Sequence, residues 1–252
     1  MDTAYHPDFG ARVAFAFERM PDDPDGQVRQ AVAKAICLIR QDASSETIDQ
    51  LMPDGTKQTM PNPIKDDALR AAQGGDPISG VWKAVKPFIK FRQDADIAKD
   101  LDLGSHKETI EKEFGKLGDD TVEVFIRPAD QSLLIALRGL GVEDCDGFTM
   151  YGACLLTALG IPCSLATVAA EPERPREFSH IYVVAYPFGR KGPRIPLDFS
   201  HGPYPGWECP STRLREWPVD ETPIERAVIG LAPVVVAGAL LLGLRWLNGR
   251  AL

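Results

Sequence analysis

The chain has 252 residues, enough for one medium-sized domain with appendages. Charged residues make up 25% and hydrophobic residues 44%, ordinary globular values that exclude a wholly disordered or fibrous chain. The formal net charge of −8 argues against nonspecific nucleic-acid binding, which needs a basic face, and the chain carries no phosphate loop and no dinucleotide fingerprint.

The polar start, Met1 to Gly10, does not read as a signal peptide, so a reducing compartment is the expectation. Apolar spacing predicts helices over Phe9–Arg19 and Gln27–Ile39, the second running into Arg40. A polar stretch from Ser44 to Ala72, broken by Pro53, Gly55, Pro61 and Pro63, is expected to be an arm or loop on the core. These parts make an N-terminal helical arm over 1–76. A core over 77–212 follows, entered by an amphipathic helix with Val81, Trp82, Val85 and Ile89.

Within that core, Phe148, Tyr151, Leu155, Leu156 and Leu159 recur mostly at three and four, which predicts a helix opened by Cys145. Asp144 stands at its N-cap position, Gly160 stops it and Pro162 forbids its return. Ser179 to Tyr186 alternates, with His180, Tyr182, Val184 and Tyr186 on one face and Ile181, Val183 and Ala185 on the other. Phe188 to Gly192 is a turn, and Arg194 to Phe199 alternates again with Pro196 and Asp198 on one side. Such a hairpin brings His180 and Asp198 side by side. Residues 213–226 carry prolines and charges and read as a linker, and no internal repeat is present.

Cys145, His180 and Asp198 supply a thiol nucleophile, an imidazole base and a carboxylate orienter, the set that thiol-based acyl transfer needs. A cysteine at a helix N-terminus sees the positive end of the macrodipole, which favours thiolate. Asp144 and Asp146 push the other way, so the thiolate is expected to depend on a close His180 imidazolium, with Asp198 holding the other ring nitrogen. Each residue also has a purely structural reading: a small buried thiol, a satisfied strand histidine, a turn-capping carboxylate. His201 is a rival base, placed in a Gly-Pro-rich loop beyond the strand. Asp144 and Trp207 are candidates for the substrate cleft, although Trp207 reads first as a core plug. Cys37, Cys154, Cys163 and Cys209 show no CxxC spacing, and five cysteines is an odd number, so neither a zinc site nor a disulfide framework is indicated. No metal and no cofactor is expected.

Several motifs resemble the transglutaminase-like superfamily of papain-like fold proteins, above all its compact bacterial and phage-encoded cysteine-peptidase variant. They are Asp144-Cys145-Asp146, Leu155-Leu156 to Gly160-Ile161-Pro162, Ser179-His180-Ile181-Tyr182-Val183, Leu197-Asp198 and Gly206-Trp207-Glu208. Val122-Glu123 with Arg127-Pro128, and Phe88 to Asp94, resemble the segments that precede the nucleophile. The likeness spans roughly residues 78–210, over half the chain. It implies an α+β class: a papain-like core with the nucleophile helix packed on an antiparallel sheet, plus N-terminal helices. The chain departs from the pattern at Glu143, where the family has glycine, and at Gly147, where it has an acidic or small polar residue. A glycine there is expected to loosen the first helical turn by about 1 kcal/mol. The insert from Leu101 to Asp120 is also longer than the family pattern.

Ala227 to Leu244 carries no charge, with Arg226 and Arg245 at its ends and Trp246 as an interface anchor. Its eighteen residues span about 27 Å, close to a bilayer's hydrocarbon core. A transmembrane helix over 227–247 is therefore expected, against the alternative of a buried C-terminal helix. Ala239 and Gly243 hint at helix-mediated self-association. The combined reading is a membrane-anchored thiol enzyme acting on a protein or peptide amide, at a host inner membrane or a virion membrane, with its core on the cytoplasmic side. Hydrolysis is favoured over cross-linking because the likeness is to the peptidase variant. The rival is a catalytically inactive structural or binding component of a membrane-containing virion, and the alternative location is the soluble cytoplasm.

Overall fold

The computed structural model describes residues 24–51, 57–92 and 126–220, which form a mixed α+β fold. The expectations for Phe9–Arg19, Leu101 to Asp120, Val122-Glu123 and the apolar segment 227–247 lie outside the described residues. Among the described residues no helix is long and apolar enough to cross a membrane.

In chain order the elements are α1 (Pro24–Ser44), β1 (Thr47–Leu51), β2 (Lys57–Pro61), α2 (Ile64–Ala72), α3 (Pro77–Val85) and β3 (Ile89–Phe91). After these come α4 (Pro128–Arg138), β4 (Gly141–Glu143), α5 (Cys145–Ala158), β5 (Cys163–Val168), β6 (His180–Ala185), β7 (Ile195–Leu197) and β8 (Leu214–Pro218). β1 and β2 form an antiparallel hairpin, and β3 pairs parallel with β4. The main sheet is antiparallel, in the order β7-β6-β5-β8.

α5 is the centre of the molecule. It is buried from Asp146 to Leu156, as a helix apolar on most sides must be. Ile36 and Ile39 of α1, Ile64 and Ala68 of α2, and Val81 and Val85 of α3 share one hydrophobic cluster with it and with Leu165, Val183 and Leu197 of the sheet. The described part of the 1–76 region therefore shares its core with the rest. Both ends of α5 follow the sequence. Asp144 caps it by accepting from the Asp146 N–H at 2.9 Å. At the other end Gly160 turns left-handed at φ 71°. The Ile161 N–H reaches Leu156 O at 2.9 Å, closing a Schellman motif.

Four segments differ from the sequence expectation. Ser44 to Ala72, expected to be an arm or loop, holds the β1–β2 hairpin and α2, because Ile64, Ala68 and Ala71 at helical spacing are buried. Lys86–Phe88 is a 3₁₀ turn containing Pro87, so Ile89 lies in β3 rather than on the helix. α1 runs on to Ser44 because its late polar residues are inside: Asp42 is fully buried, pairs with Arg127 and accepts from the Ala129 N–H at 3.1 Å. Burial alone would lower the Arg127 pKa, and the Asp42 carboxylate reverses that into a rise. Finally, residues 213–226 are not simply a linker: Leu214–Pro218 is β8, paired along β5.

The two faces of β6 separate as the alternation requires. Val183 and Ala185 join the α5 core, while Tyr182, Val184 and Tyr186 form a second cluster with Ala166 and Val168. β7 is docked onto α5 through Phe199. A Cβ on Gly152 would lie 2.1 Å from the Phe199 ring, so only glycine admits that ring against the helix. Trp82 packs on the same ring at 5.4 Å, and Lys86 Nζ donates to Phe199 O at 3.1 Å. The residue after Asp198 is thus held from three sides.

Candidate active site

Cys145 is the first residue of α5, half-buried, and all five cysteines are thiols rather than disulfides. One hydroxyl ties this end of the helix to the sheet. Thr149 Oγ1 lies 2.7 Å from Cys145 O and 3.1 Å from Ile181 O, the residue after His180. The carboxyl group of Asp144 is close enough to His180 and His201 for both rings to influence its ionisation. Burial nevertheless pushes Asp144 above its ordinary value.

His180 opens β6 and Asp198 follows β7. The hairpin register runs through Val183↔Leu197, so one step further Asp198 comes opposite Tyr182 and diagonal to His180. His180 Nε2 and Asp198 Oδ2 are 2.8 Å apart, with side chains 6% and 0% exposed. Burial would raise the Asp198 pKa. The His180 ring, the His201 backbone N–H and the Ser200 hydroxyl outweigh it and hold the carboxylate below its ordinary value. With Nε2 committed to Asp198, Nδ1 is the His180 nitrogen left for a thiol.

His201, the rival base in the loop beyond the strand, lies against His180. The turn after β7 folds back, its backbone N–H bonds Asp198 Oδ1 at 2.9 Å, and its ring stands 4.8 Å from that of His180 at 85°. The signal was present in Asp198-Phe199-Ser200-His201-Gly202, an Asx-turn sequence in which Asp198 caps its own following backbone. Burial first, then the neighbouring His180, push the His201 pKa down. Trp207 is half-buried and packs beside Asp198: a Cβ on Gly202 would meet Asp198 O at 2.6 Å and the Trp207 ring at 3.2 Å.

Cys209 is the residue that the sequence passed over. Its Sγ and donor atoms of His180 and Asp198 all lie within 4.8 Å of one another. This trio has the chemistry of a metal-ligand set. Its atoms are already engaged, however: Oδ2 and Nε2 with each other, and Oδ1 with Ser200 and His201. Cys209 is also a poor rival nucleophile, since burial and then the Asp198 and Glu208 carboxylates push its thiol up. Its loop is fixed by Glu208, which accepts from Tyr182 at 2.7 Å and from Arg194 at 2.7 and 2.9 Å.

The Glu143 and Gly147 departures fit each other. A Cβ on Gly147 would lie 1.6 Å from Glu143 Cγ. The fully buried Glu143 side chain occupies that space and accepts from the Ile126 N–H at 2.9 Å. A separate cleft of about 660 Å³, bordered by Asp67, Arg70, Lys83, Phe88 and Tyr151, includes none of the triad. Comparison with protein-family models, curated proteins and solved structures returns no match.

Proposed function

We propose that the chain is a transglutaminase-like thiol enzyme of papain-like fold that hydrolyses amide bonds in a protein or peptide. The observation that carries this reading is the buried His180–Asp198 pair at 2.8 Å, with Ile181, the residue after His180, tied through Thr149 Oγ1 to the carbonyl of Cys145. Cys145 Sγ attacks the amide carbonyl, and His180 takes the thiol proton on Nδ1 as the C–S bond forms. Asp198 stabilises the imidazolium and fixes its tautomer. The Cys145 backbone N–H, at the helix start, would receive the oxyanion. Collapse breaks the C–N bond, and His180 returns the proton to the leaving amine. Water, deprotonated by the same ring, then cleaves the thioester and frees the thiol.

The test is alkylation with iodoacetamide across a pH series, with peptide mapping. Cys145 should react fastest and keep its reactivity below the ordinary thiol titration. Cys154 is the internal control, because burial and then the Asp42 charge hold its thiol well up. Labelling of Cys145 no faster than Cys37 or Cys209 removes the nucleophile and leaves a binding scaffold.

We also infer from the sequence of 227–247 that this enzyme works at a membrane surface. Deleting residues 227–252 should leave a soluble protein with an intact core, while the full chain fractionates with membrane and resists carbonate extraction. A full chain that is soluble without detergent, with a truncated form that aggregates, makes the segment part of the core instead.

A further inference from the structure

Asp198 governs two imidazoles. Its Oδ2 faces His180 Nε2 at 2.8 Å, and its Oδ1 accepts from Ser200 Oγ at 3.0 Å and from the His201 N–H at 2.9 Å. A carboxyl group surrounded by three donors is ionised and can only accept. The one hydroxyl proton of Ser200 therefore points at Asp198. The Ser200 oxygen then turns a lone pair toward His201 Nδ1, 2.9 Å away. Nδ1 must carry the ring proton of His201, which leaves Nε2 with its lone pair.

That ring lies on an exposed surface, packed against two other rings. His201 stands at a steep angle between the His180 ring and the Phe91 ring, with centroids 4.8 Å and 5.2 Å away. Both His201 and Phe91 are exposed. Phe91 is held there by the parallel pairing of β3 with β4, in register with Glu143, two residues before Cys145. An oriented acceptor beside an exposed aromatic ring, next to the base, suits an N–H group carried on a flat amide.

We propose that His201 is a substrate-contacting residue, accepting at Nε2 a hydrogen bond from an N–H of an amide substrate lying against Phe91. This rests on the thiol-enzyme reading above. His201 forms no covalent bond in this role and keeps its proton on Nδ1. It selects for substrates that still have an N–H at that point.

Two thiol reagents test it: iodoacetamide, which has amide N–H groups, and N,N-dimethyliodoacetamide, which has none. The quantity read is the ratio of their alkylation rates at Cys145, divided by the same ratio for glutathione. Wild type should prefer iodoacetamide by about fivefold, the worth of one ordinary net hydrogen bond. His201→Gln, which places an oxygen where Nε2 lies, should keep the preference. His201→Asn, which retains only the group facing Ser200, should lose it, with the dimethyl reagent reacting at the wild-type rate in all three proteins. An unchanged ratio in His201→Asn overturns the contact. A fall in the dimethyl rate overturns it too, because His201 then acts through His180. Cys145 reacting no faster than glutathione is a different failure: it ends the thiol-enzyme reading, and this inference with it.

Discussion

Gly147→Ala is the sharpest probe of how the nucleophile helix is seated. In an ordinary helix this change is stabilising by about 1 kcal/mol, because alanine has the better propensity. Here the new methyl would fall 1.6 Å from Glu143 Cγ, 2.5 Å from its Cβ and 2.7 Å from its Cδ. Those atoms are the stem of a fully buried side chain, so they cannot swing into solvent. Overpacking of this kind costs about 1–3 kcal/mol. Displacing the carboxylate also strands the buried Ile126 N–H, for about another 1–3 kcal/mol. With the propensity gain subtracted, a net loss of roughly 1–5 kcal/mol is expected. Urea denaturation followed by circular dichroism measures it. The exchanged pair, Glu143→Gly with Gly147→Glu, returns a carboxylate to the same space from the other side. Its loss should fall short of the summed single losses by roughly 2 kcal/mol, a coupling normal for residues in contact. Stabilisation by Gly147→Ala, or an exchanged pair whose loss equals the sum, would refute this account of the two positions.

The remaining predictions concern Asp198. Asp198→Asn should slow amide cleavage by about 10²- to 10⁴-fold without abolishing it, since the orienter is lost and the thiol remains; wild-type kcat in this variant removes Asp198 from the triad. The depressed Asp198 pKa also makes it a source of stability above the unfolded carboxylate value near 4, lost as pH falls through the lower folded value. The stability gap between wild type and Asp198→Asn, read from urea midpoints, should therefore narrow as pH drops below about 4; a gap that widens on acidification has the wrong sign.

What was legible in the sequence was periodic. The α5 helix announced itself by apolar residues at three and four and by its Asp144 and Gly160 ends, and β6 by strict alternation. His180 and Asp198 could be paired because both strands put them on the same face. What was not legible depended on tertiary partners. β8, Leu-Arg-Glu-Trp-Pro, looks like linker because it is charged, yet an edge strand needs a backbone partner more than an apolar face, and β5 supplies one. Asp42 lies beyond Arg40, where the apolar spacing runs out, and its place inside depends on Arg127, 85 positions away. Cys209 and His201 sit in a loop whose return path nothing periodic encodes. Glu143 and Gly147 each looked like a defect, and only their shared space makes sense of both.

The site joins two layers, and this sets what its chemistry depends on. In the proposed mechanism the thiol of Cys145 comes from a helix and the ring of His180 from a sheet, so the distance between them is a packing distance rather than a backbone one. Three contacts fix it. Thr149 links the first turn of α5 to the carbonyl beside His180. Glu143 fills the notch at Gly147 and holds the entry to the helix. Phe199 sits in the notch at Gly152, with Trp82 and Lys86 closing over it, and carries Asp198 with it. Two of the three use a glycine inside a helix, where glycine costs about 1 kcal/mol against alanine. A chain that keeps both glycines in its most buried helix gives up local propensity at two points. What it gains at each is close approach by a neighbouring side chain: Glu143 leads directly into Asp144 and Cys145, and Phe199 directly follows Asp198. The sacrifice falls next to the residues whose relative placement the proposed acyl transfer would require, because a shift of about 1 Å between nucleophile and base is enough to lower a rate about a hundredfold.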